Sequence, residues 1–145
     1  MIYETHSPEE TYELGKRFGQ AAKPGDVFAL DGDLGAGKTV WSKGFAAGLD
    51  ITEPVTSPTF TIVQTYETGR LPLNHLDVYR LADPYELDEI GFEDMIGGQE
   101  ITLVEWASLF PEIMPEETTY IDIQRVSGHE ADTRRITVTG KDILA

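Results

Sequence analysis

The run Gly32-Asp33-Leu34-Gly35-Ala36-Gly37-Lys38-Thr39 constrains this chain more than any other stretch. It satisfies Gly-x-x-x-x-Gly-Lys-[Ser/Thr], a spacing with a physical basis. Glycine lets the backbone curl until successive N–H groups point inward at an anion. A helix that begins near Lys38 aims the positive end of its dipole at the same point. Lys38 then reaches the β and γ phosphates of a nucleoside triphosphate, and the Thr39 hydroxyl can ligate Mg²⁺. The flanks agree. Val27-Phe28-Ala29-Leu30 is an apolar run that suits a buried strand, and Lys38–Leu49 reads as a helix. At average residue usage a chain of this length matches the pattern by chance about 0.5% of the time. An ordinary Gly-rich turn with a surface lysine is therefore the weaker reading.

The rest of the chain supplies the sheet that such a loop needs. Ile2–Thr5 reads as a short strand, and Ser7-Pro8-Glu9-Glu10 opens a helix that should stop before Pro24-Gly25. Phe60–Tyr66 and Leu71–Tyr79 read as a hairpin around Thr68-Gly69-Arg70. Asp83-Pro84-Tyr85-Glu86 opens a short helix, and Ile101–Val104 is a buried strand leading into Glu105-Trp106. Thr119–Val126 and Arg134–Thr139 read as a closing antiparallel pair. The expectation is an α/β fold: a single P-loop NTPase domain over residues 1–145, with a mixed central sheet flanked by helices.

Composition excludes several function classes. The 26 acids against 11 bases leave a formal charge of −15, which argues against broad contact with a nucleic-acid backbone. Such a surface keeps a protein soluble or docks on a basic partner, and six acids fall between Asp83 and Asp94. With no cysteine, disulfides, zinc–thiolate sites and cysteine nucleophiles are absent. The start of the chain does not read as a signal peptide, and no apolar run reaches the roughly 20 residues that span a bilayer. A cytoplasmic protein without membrane attachment is expected.

A P-loop needs a carboxylate to hold or orient its metal, usually at the end of an apolar strand. Glu105, after Ile101-Thr102-Leu103-Val104, is the first choice for Mg²⁺, directly or through water. Asp77, in His75-Leu76-Asp77-Val78-Tyr79-Arg80, is a second acid for metal or water. His75 shares a face with Asp77 and reads as a structural histidine beside it. Asp31 precedes the loop and reads as structural. The threonine-bearing segment Thr52–Thr61 can sense a γ-phosphate, with Thr56 and Thr59 the best candidates. Trp106 either covers the nucleotide, faces a partner or packs in the core. Arg80, Arg125, Arg134 and Arg135 are possible charge stabilisers, none singled out by spacing.

The ordered set Gly32–Thr39, Ser57-Pro58-Thr59-Phe60, His75-Leu76-Asp77-Val78-Tyr79-Arg80-Leu81 and Glu105-Trp106 resembles the bacterial tRNA threonylcarbamoyladenosine biosynthesis ATPase family, TsaE. The resemblance runs from the first strand to the Trp106 region. It implies slow hydrolysis of ATP with Mg²⁺, in support of a protein pair, TsaD and TsaB. That pair installs threonylcarbamoyl on the adenosine next to the anticodon of tRNAs. By motif match, Thr39 and Glu105 carry over as Mg²⁺ ligands and Gly35, Ala36, Gly37, Lys38, Thr39 and Val40 as phosphate contacts. Lys38, Asp77 and Glu105 then form the catalytic set. Thr11 and Arg135 stand for nucleotide contacts near the N-terminus and in the last strands. Val40 departs from a common threonine, which a backbone contact would survive. Beyond Pro111 nothing carries over.

Two other uses of the loop are weaker. A small-molecule or nucleoside kinase usually needs an arginine-rich lid, and no Arg cluster follows the loop. A GTP switch reads guanine with Asn-Lys-x-Asp, and no lysine here follows an asparagine. Strong tRNA binding by this chain alone is not expected.

Overall fold

Ser7 starts the first helix as its sequence dictates. The Ser7 hydroxyl accepts from the Glu10 N–H at 3.1 Å, Pro8 occupies the first turn, and Glu9 and Glu10 face the positive end of the dipole. The computed structural model describes residues 1–33, 35–56, 63–79, 81, 85–89, 91–96, 98–126, 128, 131–141 and 143–144. Its strands are β1 (Ile2–Thr5), β2 (Val27–Gly32), β3 (Val63–Tyr66), β4 (Leu73–Asp77), β5 (Ile101–Glu105), β6 (Thr118–Arg125) and β7 (Arg134–Gly140). Its helices are α1 (Pro8–Ala21), α2 (Lys38–Gly48), α3 (Tyr85–Glu89) and α4 (Phe92–Met95). Asp83, expected at the start of α3, lies outside the described residues, as do residues 60–62 of the expected hairpin.

The strands form one sheet in the order β1-β7-β6-β2-β5-β4-β3. The middle block β6-β2-β5-β4 is parallel, while β1, β3 and β7 are antiparallel to their neighbours. This is the mixed sheet expected for the α/β class. The parallel block sends the carboxyl ends of β2, β4 and β5 to the same edge, where such folds place ligands. Alternation along the strands splits the core. Phe28, Leu30, Leu103, Ile121 and Ile136 pack with α1 and α2, whereas Ala29, Leu76 and Val104 pack with Leu87 of α3 and Phe92 of α4. Helices thus cover both faces of the sheet.

Helix α2, which carries the loop lysine, is seated by an unusually close approach to α1. An added Cβ would lie 2.2 Å from the Trp41 carbonyl oxygen at Gly15 and 2.1 Å from that of Phe45 at Gly19. Across the seam it would lie 2.0 Å from the Tyr12 oxygen at Gly44 and 2.2 Å from the Lys16 oxygen at Gly48. Four glycines therefore let two backbones meet where any side chain would wedge them apart. Trp41 and Phe45 stack beside the seam at 5.1 Å and Phe28 meets Phe45 edge-on at 4.8 Å. The guanidinium of Arg70 closes the far end of α1 by donating to the carbonyls of Gly19, Gln20 and Ala22 at 2.6, 3.1 and 2.9 Å. A cation there also complements the helix dipole. Gly44→Ala is expected to destabilise the fold by about 1–3 kcal/mol, the usual range for overpacking. Urea unfolding measures this, and an unchanged midpoint would refute the close-approach account.

Candidate active site

At the end of β2 the backbone turns through glycine conformations that other residues rarely adopt. Gly35 has φ 76° and Gly37 has φ 110°, and the Ala36 N–H donates to the Asp33 carbonyl at 3.0 Å. Gly37 caps α2 without a side chain. The first-turn N–H groups of α2 thus face the concavity with no cap of the helix's own, the arrangement that suits an anion. Two cations hold the outer side of this loop. Arg134 Nε donates to the Ala36 carbonyl at 2.7 Å, and an Arg125 terminal nitrogen donates to the Gly35 carbonyl at 3.1 Å.

Lys38 is not a surface lysine. It is 7% exposed, its Nζ donates to the Gly32 carbonyl at 3.0 Å, and the same ammonium stands 3.4 Å from the centroid of the Trp106 ring. Burial lowers the Lys38 pKa below the ordinary value, opposed by the carboxylates of Glu105, Asp31, Asp77 and Asp33. Trp106 reaches this position from a left-handed backbone, φ 63°, which is strained for so large a residue. Its N–H donates to the Leu30 carbonyl at 3.1 Å, which ties the bend to the strand that feeds the loop. Tyr79 lies against the indole at 4.9 Å.

The acids arrive through sheet register. In the parallel β4–β5 pair Asp77 is opposite Glu105, and β2 places Leu30 opposite Glu105 on its other side. Glu105 is 3% exposed, and its Oε2 accepts from His75 Nε2 at 2.6 Å. His75 therefore serves Glu105, and the expected structural pairing with Asp77 is corrected. The alternation that put His75 and Asp77 on one face also brings His75 diagonally behind Glu105. Asp77 Oδ1 accepts the Tyr79 N–H at 2.9 Å. Burial raises the Asp77 pKa, Glu105 adds to the rise, and the Tyr79 N–H, Lys38 and His75 oppose it. Asp31 accepts the Ser108 N–H at 3.1 Å, in keeping with a structural role.

These residues fit a triphosphate with Mg²⁺. The glycine cradle and the buried ammonium suit phosphate oxygens. The Thr39 hydroxyl and the Glu105 carboxylate are hard oxygen donors. Mg²⁺ commonly takes one or two carboxylates and completes its shell with phosphate and water.

Beside the loop lies a pocket of about 130 Å³ lined by Pro8, Thr11, Gly35, Ala36, Gly37, Val40, Asp132 and Arg134. Thr11 is thus adjacent to the loop, but its hydroxyl is engaged with Thr5 at 2.7 Å.

The family model described as "Threonylcarbamoyl adenosine biosynthesis protein TsaE" matches residues 5–136. The chain belongs to the TsaE family. A Bacillus subtilis TsaE is 50% identical over 139 residues, spanning 96% of this chain and 85% of the relative. A Nostoc TsaE is 41% identical over 145 residues, spanning 94% and 87%. Each carries the description "tRNA threonylcarbamoyladenosine biosynthesis protein TsaE". The crystal structure of Bacillus subtilis YdiB matches with a TM-score of 0.82 at 44% identity, covering 98% of this chain and 86% of that one. These likenesses agree with a P-loop NTPase fold of the TsaE type.

Of the residues expected in a TsaE site, the structure gathers Gly35, Ala36, Gly37, Lys38, Asp77, Glu105 and Trp106 around one edge of the sheet. Thr39 is exposed in the first turn of α2, and Val40 lines the neighbouring pocket. Arg135 is exposed, and its neighbour Arg134 is the residue that reaches the loop. The signal was present, because Arg134 alternates with buried Ile136 and Val138 and so shares the face of α2. Thr59 and Arg80 lie outside the described residues, whereas Thr56 touches β3 through the Tyr66 hydroxyl at 3.4 Å. Among the described residues no helix is long and apolar enough to cross a membrane.

A carboxyl whose pKa is raised on folding keeps its proton to higher pH in the folded state. That preference favours folding at low pH and fades as pH rises through the folded value. Asp77→Asn is therefore expected to melt at or above the wild-type temperature at pH 7, with the gap closing toward the ordinary aspartate value of 3.8. Thermal melts across pH measure it, and a lower melting temperature at pH 7 would contradict the burial account.

Proposed function

We propose that this chain is a Mg²⁺-dependent ATPase of low intrinsic activity that supports the formation of threonylcarbamoyladenosine next to the anticodon of tRNAs. The observation that carries the proposal is the buried Lys38 ammonium. It sits at the start of α2, beside the Trp106 face and within the field of Glu105 and Asp77. Family membership supports the biosynthetic setting, and the relatives' descriptions point to the same modification. The acidic chain would act with protein partners resembling TsaD and TsaB, and bind tRNA weakly on its own.

In this reading the glycine loop and the α2 N-terminus bind the phosphates of ATP. Lys38 leaves the Gly32 carbonyl to meet the β and γ oxygens, where its charge grows more useful as negative charge develops. Thr39 and Glu105 would hold Mg²⁺, which when bound neutralises β- and γ-phosphate charge. Asp77 or Glu105 orients the attacking water in line with the γ-phosphate. Trp106 and Tyr79 cover the phosphate side and exclude bulk solvent.

Lys38→Ala is expected to lower ATP turnover at least about 100-fold, the usual scale for removing a positioned charge stabiliser. Phosphate release would be followed with and without the partner pair, scoring complex formation in the same samples. Unaltered turnover would sink the site assignment. Transfer of labelled γ-phosphate to a metabolite, with none released to water, would instead indicate a kinase.

A further inference from the structure

Among the described residues, His75 and Glu105 form a deeply buried polar pair near the loop. His75 is 0% and Glu105 3% exposed, and their bond is 2.6 Å. Register explains the contact. His75 lies opposite Leu103, one pleat behind Glu105 on the same face, so the imidazole reaches forward along the strand to the carboxylate. A carboxylate at the end of a glutamate side chain turns through a broad torsional well when nothing holds it. A short charge-assisted bond to one oxygen removes that freedom. With Oε2 held by His75, a metal at Glu105 would be met by Oε1.

His75 Nδ1 is buried and has no hydrogen-bond partner among the described residues, so the polar contact they give this ring is the one to Glu105.

We propose that His75 is a positioning residue: its Nε2–H fixes the Glu105 carboxylate so that one oxygen is presented to Mg²⁺ on the bound triphosphate. This rests on the reading of Glu105 as a holder of that metal. An outer partner that orients a metal-ligating group commonly matters 10- to 100-fold for metal affinity.

The test uses two amides of similar polarity. In His75→Gln the amide nitrogen can stand near the position of Nε2, whereas in His75→Asn it stands near Nδ1 and falls short of Glu105. Calorimetric titration of the full chain with ATP, once with Mg²⁺ and once with EDTA, yields the gain in affinity due to the metal. His75→Asn is expected to cut that gain about tenfold, with metal-free ATP affinity unchanged within about twofold. His75→Gln is expected to restore it to within about threefold. Glu105→Gln should show a loss like that of His75→Asn, and the double variant should lose nothing more. Equal falls with and without metal, a wild-type gain in His75→Asn, or additive losses in the double variant would each overturn the positioning role alone. Absence of any Mg²⁺ gain in the wild-type chain would overturn the metal reading of Glu105 and this inference with it.

Discussion

An ammonium taken out of water must find other partners, and at Lys38 the fold supplies them from four directions. The Gly32 carbonyl takes one N–H, the Trp106 face lies beneath the charge, and Glu105 and Asp77 lend their fields. None of these partners is near Lys38 by chance. The carbonyl belongs to β2, and the acids terminate β5 and β4. Trp106 follows Glu105 through a backbone bend that its size makes costly. The parallel block of the sheet is what brings three strand ends to one edge. Burial still lowers the lysine's pKa despite these partners.

Placing that lysine also demands accuracy in α2, and the demand runs through the whole layer. α2 can carry its N-terminus to the end of β2 only while its other flank lies close against α1, and the glycines at 15, 19, 44 and 48 permit the approach. Arg70 ties the α1 terminus to the β3–β4 connection. Arg125 and Arg134 reach from β6 and β7 to the loop's carbonyls. Elements distant in sequence therefore converge on a loop of eight residues. On the opposite face α3 and α4 pack against Leu76 and Val104, away from that loop helix. The described part of the acidic stretch, read as a solubilising surface or a dock for a basic partner, therefore lies on the far face of the sheet from α2.

Much of this was legible beforehand because local chemistry dictates it. The glycine spacing calls for a sharply curled loop between strand and helix, and Ser7-Pro8-Glu9-Glu10 is a helix start by its capping chemistry. The apolar runs at residues 27–30 and 101–104 demand burial, and that reads as buried strands. Acids at the ends of such strands could be nominated without coordinates. Arg134 also carries a readable signal in its alternation with Ile136 and Val138. What the sequence determined by itself is the loop, the elements on either side of it and the identity of the acids. Which acid His75 serves, where Lys38 rests, and how closely α1 meets α2 were decided by tertiary structure alone. The first two depend on strand order and register between distant segments, and a local pattern carries no record of which distant strand becomes its neighbour; the third depends on which glycine-bearing faces of two helices meet.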